Sequence, residues 1–251
     1  MKSTILTMAV FASIIATLIT HSQITATEEF DPLGEINDLP RMIRVQAEFI
    51  EMPHATYTKL MSKPRTSAND TDLRAECAKL VKAGEAGVIE TLCVTALPGQ
   101  SATSESISEF IYPTEYEPGE LPNEINGAAV SGDHPIGSPP TPSAFDTKNT
   151  GSTFEVEAMI DTSMKVIDLR LTPTLVYHVD TVNWGAEKIA GAAGPIEMPS
   201  FYVLSIKTGA TLRDGQPSMI GALSPKSDKG VVDQTRKIMV FTRADILTVG
   251  K

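Results

Sequence analysis

An alternating run that ends in an Asp-Gly turn constrains the fold of this chain more than any other feature. From residue 202 to 213, apolar and polar residues alternate with a period of two, which places them on opposite faces of a strand. Asp214, Gly215 and Gln216 come next, followed by an apolar run over residues 219–223. A type I′ turn needs positive φ at both central positions, so an Asp-Gly pair between two such runs predicts a β-hairpin.

The rest of the chain predicts further strands with the same spacing. Residues 153–160 and 167–171 alternate on either side of a turn that begins at Asp161, and residues 237–243 form a closing strand. Residues 88–97 and 101–112 are β-rich and are joined by a turn at Pro98-Gly99. Residues 181–198 are expected to form a loop. The predicted class is mainly β, built from antiparallel hairpins, with two short helices.

The first predicted strand, over residues 41–50, has one wet face. Apolar residues alternate there with Arg44, Gln46 and Glu48, so these three side chains form a polar face. That face is our candidate polar surface. It could line an aqueous lumen, or it could face bulk water on a monomer.

The two predicted helices follow this strand. Pro53 suits the first turn of a short helix that continues to about Met61, because its missing N–H has no partner there in any helix. A second helix begins at Asp70 or Thr71 and is expected to end at Gly84. Its apolar face is predicted to consist of Leu73, Cys77, Leu80 and Val81.

The N-terminus predicts export. Lys2 precedes an apolar run over residues 5–19, and small residues lead to a predicted cleavage point after Ala26. The run is shorter than the roughly 20 apolar residues that span a bilayer, which favours a signal peptide over residues 1–26 rather than an anchor. Residues 27–40 are acidic and are expected to form a loose leader.

The overall charge argues against a nucleic-acid partner. The formal net charge is −10, and loss of residues 1–26 would remove only Lys2 and leave −11. Binding to nucleic acid depends on clustered Lys and Arg that neutralise phosphates. We therefore expect no nucleic-acid partner.

Cys77 and Cys93 are the only cysteines of the chain. In an exported protein an even number of cysteines indicates a disulfide, so this pair is the disulfide candidate. Such a bridge would stabilise the fold by about 3 kcal/mol in the chain-entropy view. The alternative is two small, buried apolar side chains in a reduced chain.

Residues 113–150 differ in composition from the rest of the chain. They are rich in Pro, Gly, Ser and Thr, include Pro139-Pro140, and show no apolar periodicity. Such a stretch predicts a long surface loop or a disordered insertion.

The sequence predicts no catalytic site, metal or cofactor. His54, His134 and His178 are scattered without metal-ligand spacing, and His21 lies in the predicted signal peptide. No G-x-S-x-G motif occurs, and the Gly-rich run at 190–194 lacks the lysine of a phosphate-binding loop. We expect a protein that is not an enzyme.

Several phrases in this order resemble the core domain of bacterial secretins, the ring-forming outer-membrane channels of secretion and pilus systems. The phrases are Leu92-Cys-Val-Thr-Ala-Leu-Pro-Gly-Gln-Ser-Ala-Thr, Gly151-Ser-Thr-Phe-Glu-Val-Glu-Ala-Met-Ile, Ile167-Asp-Leu-Arg-Leu-Thr-Pro, Met219-Ile-Gly-Ala-Leu and Lys237-Ile-Met-Val-Phe-Thr-Arg. The resemblance covers most of residues 41–248 and implies a secretin-like core domain there. In that family the segment corresponding to 113–150 contributes to gate hairpins.

The chain also departs from the secretin pattern. Only about a dozen residues separate the predicted signal from the first strand, so the resemblance implies a short homologue without the N-terminal ring domains. A Val-Pro-Leu-Leu-Gly type segment before the last strand is replaced by residues 224–236, and Ala222 stands where a second Gly is common. Because these segments are missing, the resemblance does not extend to gating or to docking to an inner-membrane machine.

Two functions follow from this resemblance. The first is an exported subunit of an outer-membrane secretion or pilus channel, in the periplasm or outer membrane of a Gram-negative bacterium. Its partners would be copies of itself in a ring, or other secretion and pilus components. The second is a soluble periplasmic binding or scaffold module that has the same fold and forms no pore.

Overall fold

The structure of the protein is a computed structural model. It describes residues 40–119, 124–125, 128–129, 139–186, 195–227 and 229–249. The predicted signal peptide, the leader up to residue 39, His21, His134 and the Gly-rich run from Gly191 lie outside these residues.

The described residues form a mainly β structure with two short helices, which confirms the predicted class. The strands are β1 (Arg41–Pro53), β2 (Gly87–Ala96), β3 (Ser101–Glu117), β4 (Glu124–Ile125), β5 (Ala128–Ala129), β6 (Thr141–Ile160), β7 (Val166–Asn183), β8 (Glu197–Ser205), β9 (Thr208–Arg213), β10 (Ser218–Leu223) and β11 (Arg236–Thr248). The helices are α1 (His54–Met61) and α2 (Thr71–Lys82), and a single 3-10 turn spans Trp184–Ala186. All strand pairs are antiparallel.

Two sheets contain the long strands. Sheet 1 has the order β10-β11-β1-β2, with the first and last long strands of the chain, β1 and β11, at its centre. Sheet 2 has the order β3-β6-β7-β8, and β9 pairs with the other half of β7 on the same side as β8. The chain ends therefore meet in sheet 1, and the middle of the sequence forms sheet 2.

A single apolar core joins the two sheets. Alternating residues of β1 point into it, and Ile43, Val45 and Ala47 are fully buried. Sheet 2 contributes the buried side of β6 and β7, including Phe154 and Leu171. The predicted alternation along β1 is confirmed, because every second residue from Ile43 to Phe49 is buried.

The helices cover part of the opposite face of sheet 1. β1 pairs with β11 in unbroken register, so Ile50 lies on the same side as Glu48. The helices cover that side, and Ile50 is therefore buried too, in a second apolar cluster with α1 and α2. The members of that cluster are Ile50, Met52, Leu60, Leu73, Cys77, Met239 and Phe241. The predicted apolar face of α2 is confirmed, since Leu80 and Val81 pack against this cluster.

The hairpin predicted at Asp214-Gly215-Gln216 is wrong. The turn is present, and Gly215 has the positive φ of 72° that the sequence indicates. However, β9 belongs to sheet 2 and β10 to sheet 1, so the turn passes the chain between sheets rather than closing a hairpin. The Gly215 N–H donates to the carbonyl of Ala244 at 2.8 Å, so the turn is fixed against β11 instead.

The prediction of a loop over residues 113–150 is also wrong at both ends. β3 continues to Glu117 and β6 begins at Thr141, and β3 pairs with β6 along its whole length. Most side chains of this extension are exposed, so neither face shows the apolar periodicity by which a half-buried strand is recognised. Residues 120–123, 126–127 and 130–138 lie outside the described part.

Pro173 divides the edge of sheet 2. The alternating run over residues 202–213 lies along β7 as two strands, with Ile206 and Lys207 between β8 and β9. The break lies opposite Pro173, a residue of β7 that has no N–H to donate to a neighbouring strand. Only the carbonyl of Pro173 is bonded there, accepting from the Ile206 N–H at 3.3 Å.

Candidate functional site

Unpaired strand edges are the most prominent surfaces of the two sheets. Among the described residues, β3 pairs only with β6, and β8 and β9 pair only with β7, so both edges of sheet 2 are open. β2 and β10 end sheet 1 in the same way. An open edge presents a row of backbone N–H and C=O groups to which another strand can add.

The β3 edge is long and largely exposed. It spans 17 residues, and the strand carries Glu105 and Glu109 beside the exposed apolar residues Ile107 and Ile111. Carboxylates on an edge strand discourage indiscriminate pairing, while exposed isoleucines favour contact with a matching surface. The edge therefore has the composition of a selective docking surface.

The geometry of β8 shows which of its backbone groups face outward. The N–H and C=O of Glu197 both contact the Tyr116 hydroxyl, at 3.0 and 3.2 Å, so both point away from β7. Pro199, two residues further, has the same orientation and needs no partner for its ring nitrogen. By this alternation, the backbone groups of Phe201, Val203 and Ser205 also face the open side.

The predicted polar face is divided between solvent and helix α2. The Glu48 carboxylate accepts two hydrogen bonds from the Arg74 guanidinium of α2, at 2.5 and 3.2 Å. This hydrogen bonding raises the pKa of Arg74 above its ordinary value, although burial opposes the rise. Gln46 donates to Glu48 at 3.4 Å, whereas the half-exposed Arg44 pairs with Asp245 at 3.2 Å.

A cleft of about 380 Å³ lies beside this polar face. Arg74 of α2, Arg243 of β11 and Pro217 after the turn are among the residues that line it. Both arginines already have carboxylate partners, because Arg243 contacts Asp245 at 2.6 Å and Arg74 contacts Glu48. The two arginines at the cleft are therefore paired within the chain.

The predicted disulfide between Cys77 and Cys93 is wrong for this structure, which holds both residues as free thiols. Cys77 is buried on the side of α2 that faces sheet 1, with its Sγ 3.9 Å from the Met239 sulfur, while Cys93 is exposed on β2. Met239 pairs with Ile50 and Cys93 with Gln46, so four positions of β1 separate them. Met239, which the Cys77 thiol contacts, thus lies about 13 Å along the sheet from Cys93, whereas a disulfide joins Cα atoms no more than about 7 Å apart.

The histidines within the described residues occupy separate places. His54 begins α1, and its Nδ1 contacts the Gln234 carbonyl at 3.1 Å. His178 lies on β7, with its Nε2 3.0 Å from the Thr181 hydroxyl. No group of three or more His, Cys, Asp or Glu residues suited to a metal occurs in the described part of the chain.

An aromatic cluster that the sequence pattern did not reveal joins β3 to β7 and β8. Phe110 of β3 stacks on His178 of β7, with 4.6 Å between ring centroids, and contacts Phe201 of β8 edge-on at 5.7 Å. Tyr112, also on β3, contacts Phe201 with 5.7 Å between ring centroids. The spacing of Phe110, Tyr112 and Tyr116 was the available signal, but the contacts require knowledge of the fold.

No helix in the part of the chain that the structure describes is long and apolar enough to cross a bilayer.

Comparison with known proteins gives structural similarities only. No family model matches the chain, and no curated protein matches it. Among solved structures, the type II secretin GspD of enteropathogenic Escherichia coli is similar over 84% of this chain and 70% of its own, with a TM-score of 0.41 and 14% identity. The chain is shorter than such proteins.

Two other secretins show similar values. The Vibrio cholerae type IV competence pilus secretin PilQ matches 82% of this chain and 59% of its own, at a TM-score of 0.39 and 12% identity. The Salmonella type III secretion injectisome secretin InvG matches 85% of this chain and 65% of its own, at a TM-score of 0.37 and 8% identity. This chain thus spans less than two thirds of either protein, and no family is assigned to it from these similarities.

Proposed function

We propose that this protein is an exported, secretin-like subunit that forms a ring with copies of itself and contributes to an outer-membrane secretion or pilus channel. The observation that carries the proposal is the pair of open edges of sheet 2, β3 on one side and the β8–β9 line on the other. A subunit with a different edge on each side makes head-to-tail contacts, which close into a ring when the rotation fits.

The strand directions of sheet 2 suit such a ring. The sheet has four strand positions, and each strand runs antiparallel to its neighbour. The first and last positions therefore run in opposite directions. When protomers are related by rotation about an axis, β3 of one copy meets β8 of the next as an antiparallel pair, and the alternation continues around the ring.

The two edges also match in length. β3 has 17 residues, and the opposite edge consists of 9 residues of β8 and 6 of β9 with two residues between them. Pairing along these edges would satisfy backbone groups that otherwise face water. Each hydrogen bond gained contributes a net stabilisation of about 1 kcal/mol, so a long edge can supply a strong contact.

The proposed place of action is the periplasm or outer membrane of a Gram-negative bacterium. The predicted signal peptide and the sequence resemblance to secretins support this location. Other secretion or pilus components are proposed as further partners, and nucleic acid is not. The protein acts by assembly rather than catalysis.

Replacing Val203 with proline tests the proposal. Val203 lies on β8 with its N–H toward the open side, so Val203→Pro removes a donor from the edge while leaving the bonds to β7 in place. We expect the variant to remain folded but to lose the large oligomer on an unheated denaturing gel of envelope extracts. Val203→Thr, which keeps the N–H and the β-branched shape, is the matched control and should keep the oligomer.

A second function is favoured by the contact between Glu48 and Arg74. Helix α2 covers this part of the predicted polar face, as expected for a soluble periplasmic module that binds or scaffolds another protein without forming a pore. In that case the wild-type chain would be a monomer in the soluble periplasmic fraction, and Val203→Pro would change nothing on the gel.

A further inference from the structure

The Tyr116 hydroxyl occupies a backbone position on the open edge of β8. Its oxygen accepts from the Glu197 N–H at 3.0 Å and lies 3.2 Å from the Glu197 carbonyl oxygen, to which it donates. A tyrosine hydroxyl can accept and donate at once, so this one group satisfies both outward-facing backbone groups of Glu197. It does there what a residue of an added strand would do.

The segment that carries Tyr116 is held against β7 and β8 at more than one point. Phe110 stacks on His178 and touches Phe201, and Tyr112 touches Phe201 from the same strand. These rings lie between the end of the β6–β7 ladder and the start of β8. The contact at Glu197 is therefore one end of a packed interface and not an isolated hydrogen bond.

The hairpin changes course where this interface begins. The pairing of β6 with β7 ends at Gly151, while the pairing of β6 with β3 continues beyond it. Gly151 has a φ of 116°, which L side chains rarely adopt, and an added Cβ would lie 2.2 Å from the Ser106 carbonyl oxygen. Glycine at this position lets the outer part of the β3–β6 pair bend away from β7 and reach the β8 edge.

We infer that Tyr116 is an intramolecular cap on the β8 edge, and that this edge pairs fully with a second copy of the chain only after the cap is released. The inference rests on the proposed function. A copy's β3 could match the whole β8–β9 edge in length, and a match that reached the first residue of β8 would need the groups of Glu197 that Tyr116 holds. Pro199 offers no N–H, so the cap closes the last donor at this end.

Hydrogen exchange at the Glu197 amide in the full-length chain tests the cap itself. Tyr116→Phe keeps the ring and removes only the hydroxyl, so we expect the Glu197 N–H to exchange about five-fold faster, the factor that corresponds to one net hydrogen bond. Tyr112→Phe is the matched control on the same strand, because its hydroxyl contacts Asp146 at 3.4 Å and not the edge. Unchanged exchange in Tyr116→Phe overturns the inference.

The yield of oligomer on an unheated gel tests what the cap controls. We expect Tyr116→Phe to accumulate oligomer faster than the wild type, and Tyr112→Phe to match the wild type. If the wild type forms an oligomer, and Tyr116→Phe shows faster exchange but no faster oligomer formation, the controlling role is overturned. Faster exchange in a chain that stays monomeric in every variant would support the cap as edge protection and would refute the proposed channel, so the two failures are distinguishable.

Discussion

Asp70 joins three parts of the molecule through one carboxylate. The sequence suggests it as the cap of α2, and it does occupy that position, but its side chain makes no capping bond. Its oxygens instead accept from Arg65 at 2.7 Å and from the Met219 N–H of β10 at 2.8 Å. The residue predicted as a local helix cap thus links α2 to the edge of sheet 1.

Replacing Asp70 with alanine should destabilise the protein by about 2 kcal/mol, because a part-buried N–H of β10 loses its acceptor and Arg65 loses its partner. Urea unfolding followed by circular dichroism measures the change. Asp72→Ala is the matched control, since Asp72 is exposed in the first turn of α2 and should contribute at most about 1 kcal/mol through the helix dipole. Equal losses in the two variants would contradict the bridging role.

The two thiols should differ strongly in reactivity. Burial raises the pKa of the Cys77 thiol from 9.0 to about 11, so only about one molecule in a thousand carries the thiolate at pH 8. We expect a thiol reagent to label Cys93 in the folded protein and Cys77 only after unfolding in urea, with mass spectrometry as the readout. Detection of a Cys77–Cys93 disulfide in protein from the native envelope would contradict the structure.

The same burial predicts a dependence of stability on alkaline pH. The folded protein keeps Cys77 protonated to a higher pH than the unfolded chain does, so the contribution is complete below about pH 9 and is lost as the pH rises toward 11. The difference in unfolding free energy between the wild type and Cys77→Ala should shrink by roughly 2 kcal/mol between pH 8 and pH 11. A constant difference across that range would contradict a buried neutral thiol.

At the scale of elements, local patterns located the strands better than they located the partners of those strands. The alternation along β1 and the apolar face of α2 follow from burial on one side, which a sequence shows directly. The Asp214-Gly215 turn failed as a hairpin because which sheet a strand joins depends on distant residues. The loop predicted over residues 113–150 was wrong at its ends for another reason, since the strand segments there are mostly exposed on both sides and show no apolar period.

Substitution of Gly151 tests the bend in the β3–β6 pair. Gly151→Ala should destabilise the chain by about 2 kcal/mol or more, because its φ of 116° and the nearby Ser106 carbonyl leave no room for a Cβ. Gly87→Ala in β2 is the matched control, since nothing lies within 4 Å of a Cβ there and φ is not positive. Unfolding midpoints in urea compare the two, and an equal midpoint shift would argue against the bend.

For the whole molecule, the sequence resemblance implied a ring of copies but could not say which strand edges are open to pair. That assignment needs the order of strands in each sheet, which places β3 and β8 at opposite ends of sheet 2. The polar face of β1 was predicted residue by residue, yet its cover by Arg74 of α2 was not, because helix packing brings together residues far apart in sequence. The contact of Tyr116 with Glu197 was not predicted for the same reason.

The particle mass of the wild-type chain in its native envelope tests whether copies of the chain form a closed ring. The chain would be extracted in mild detergent from the outer-membrane fraction and its mass measured by light scattering, beside an unheated denaturing gel. We expect a closed oligomer of many protomers that stays intact on the gel without heating. A monomer recovered from the soluble periplasmic fraction would contradict it and would leave the binding or scaffold module as the function of this fold.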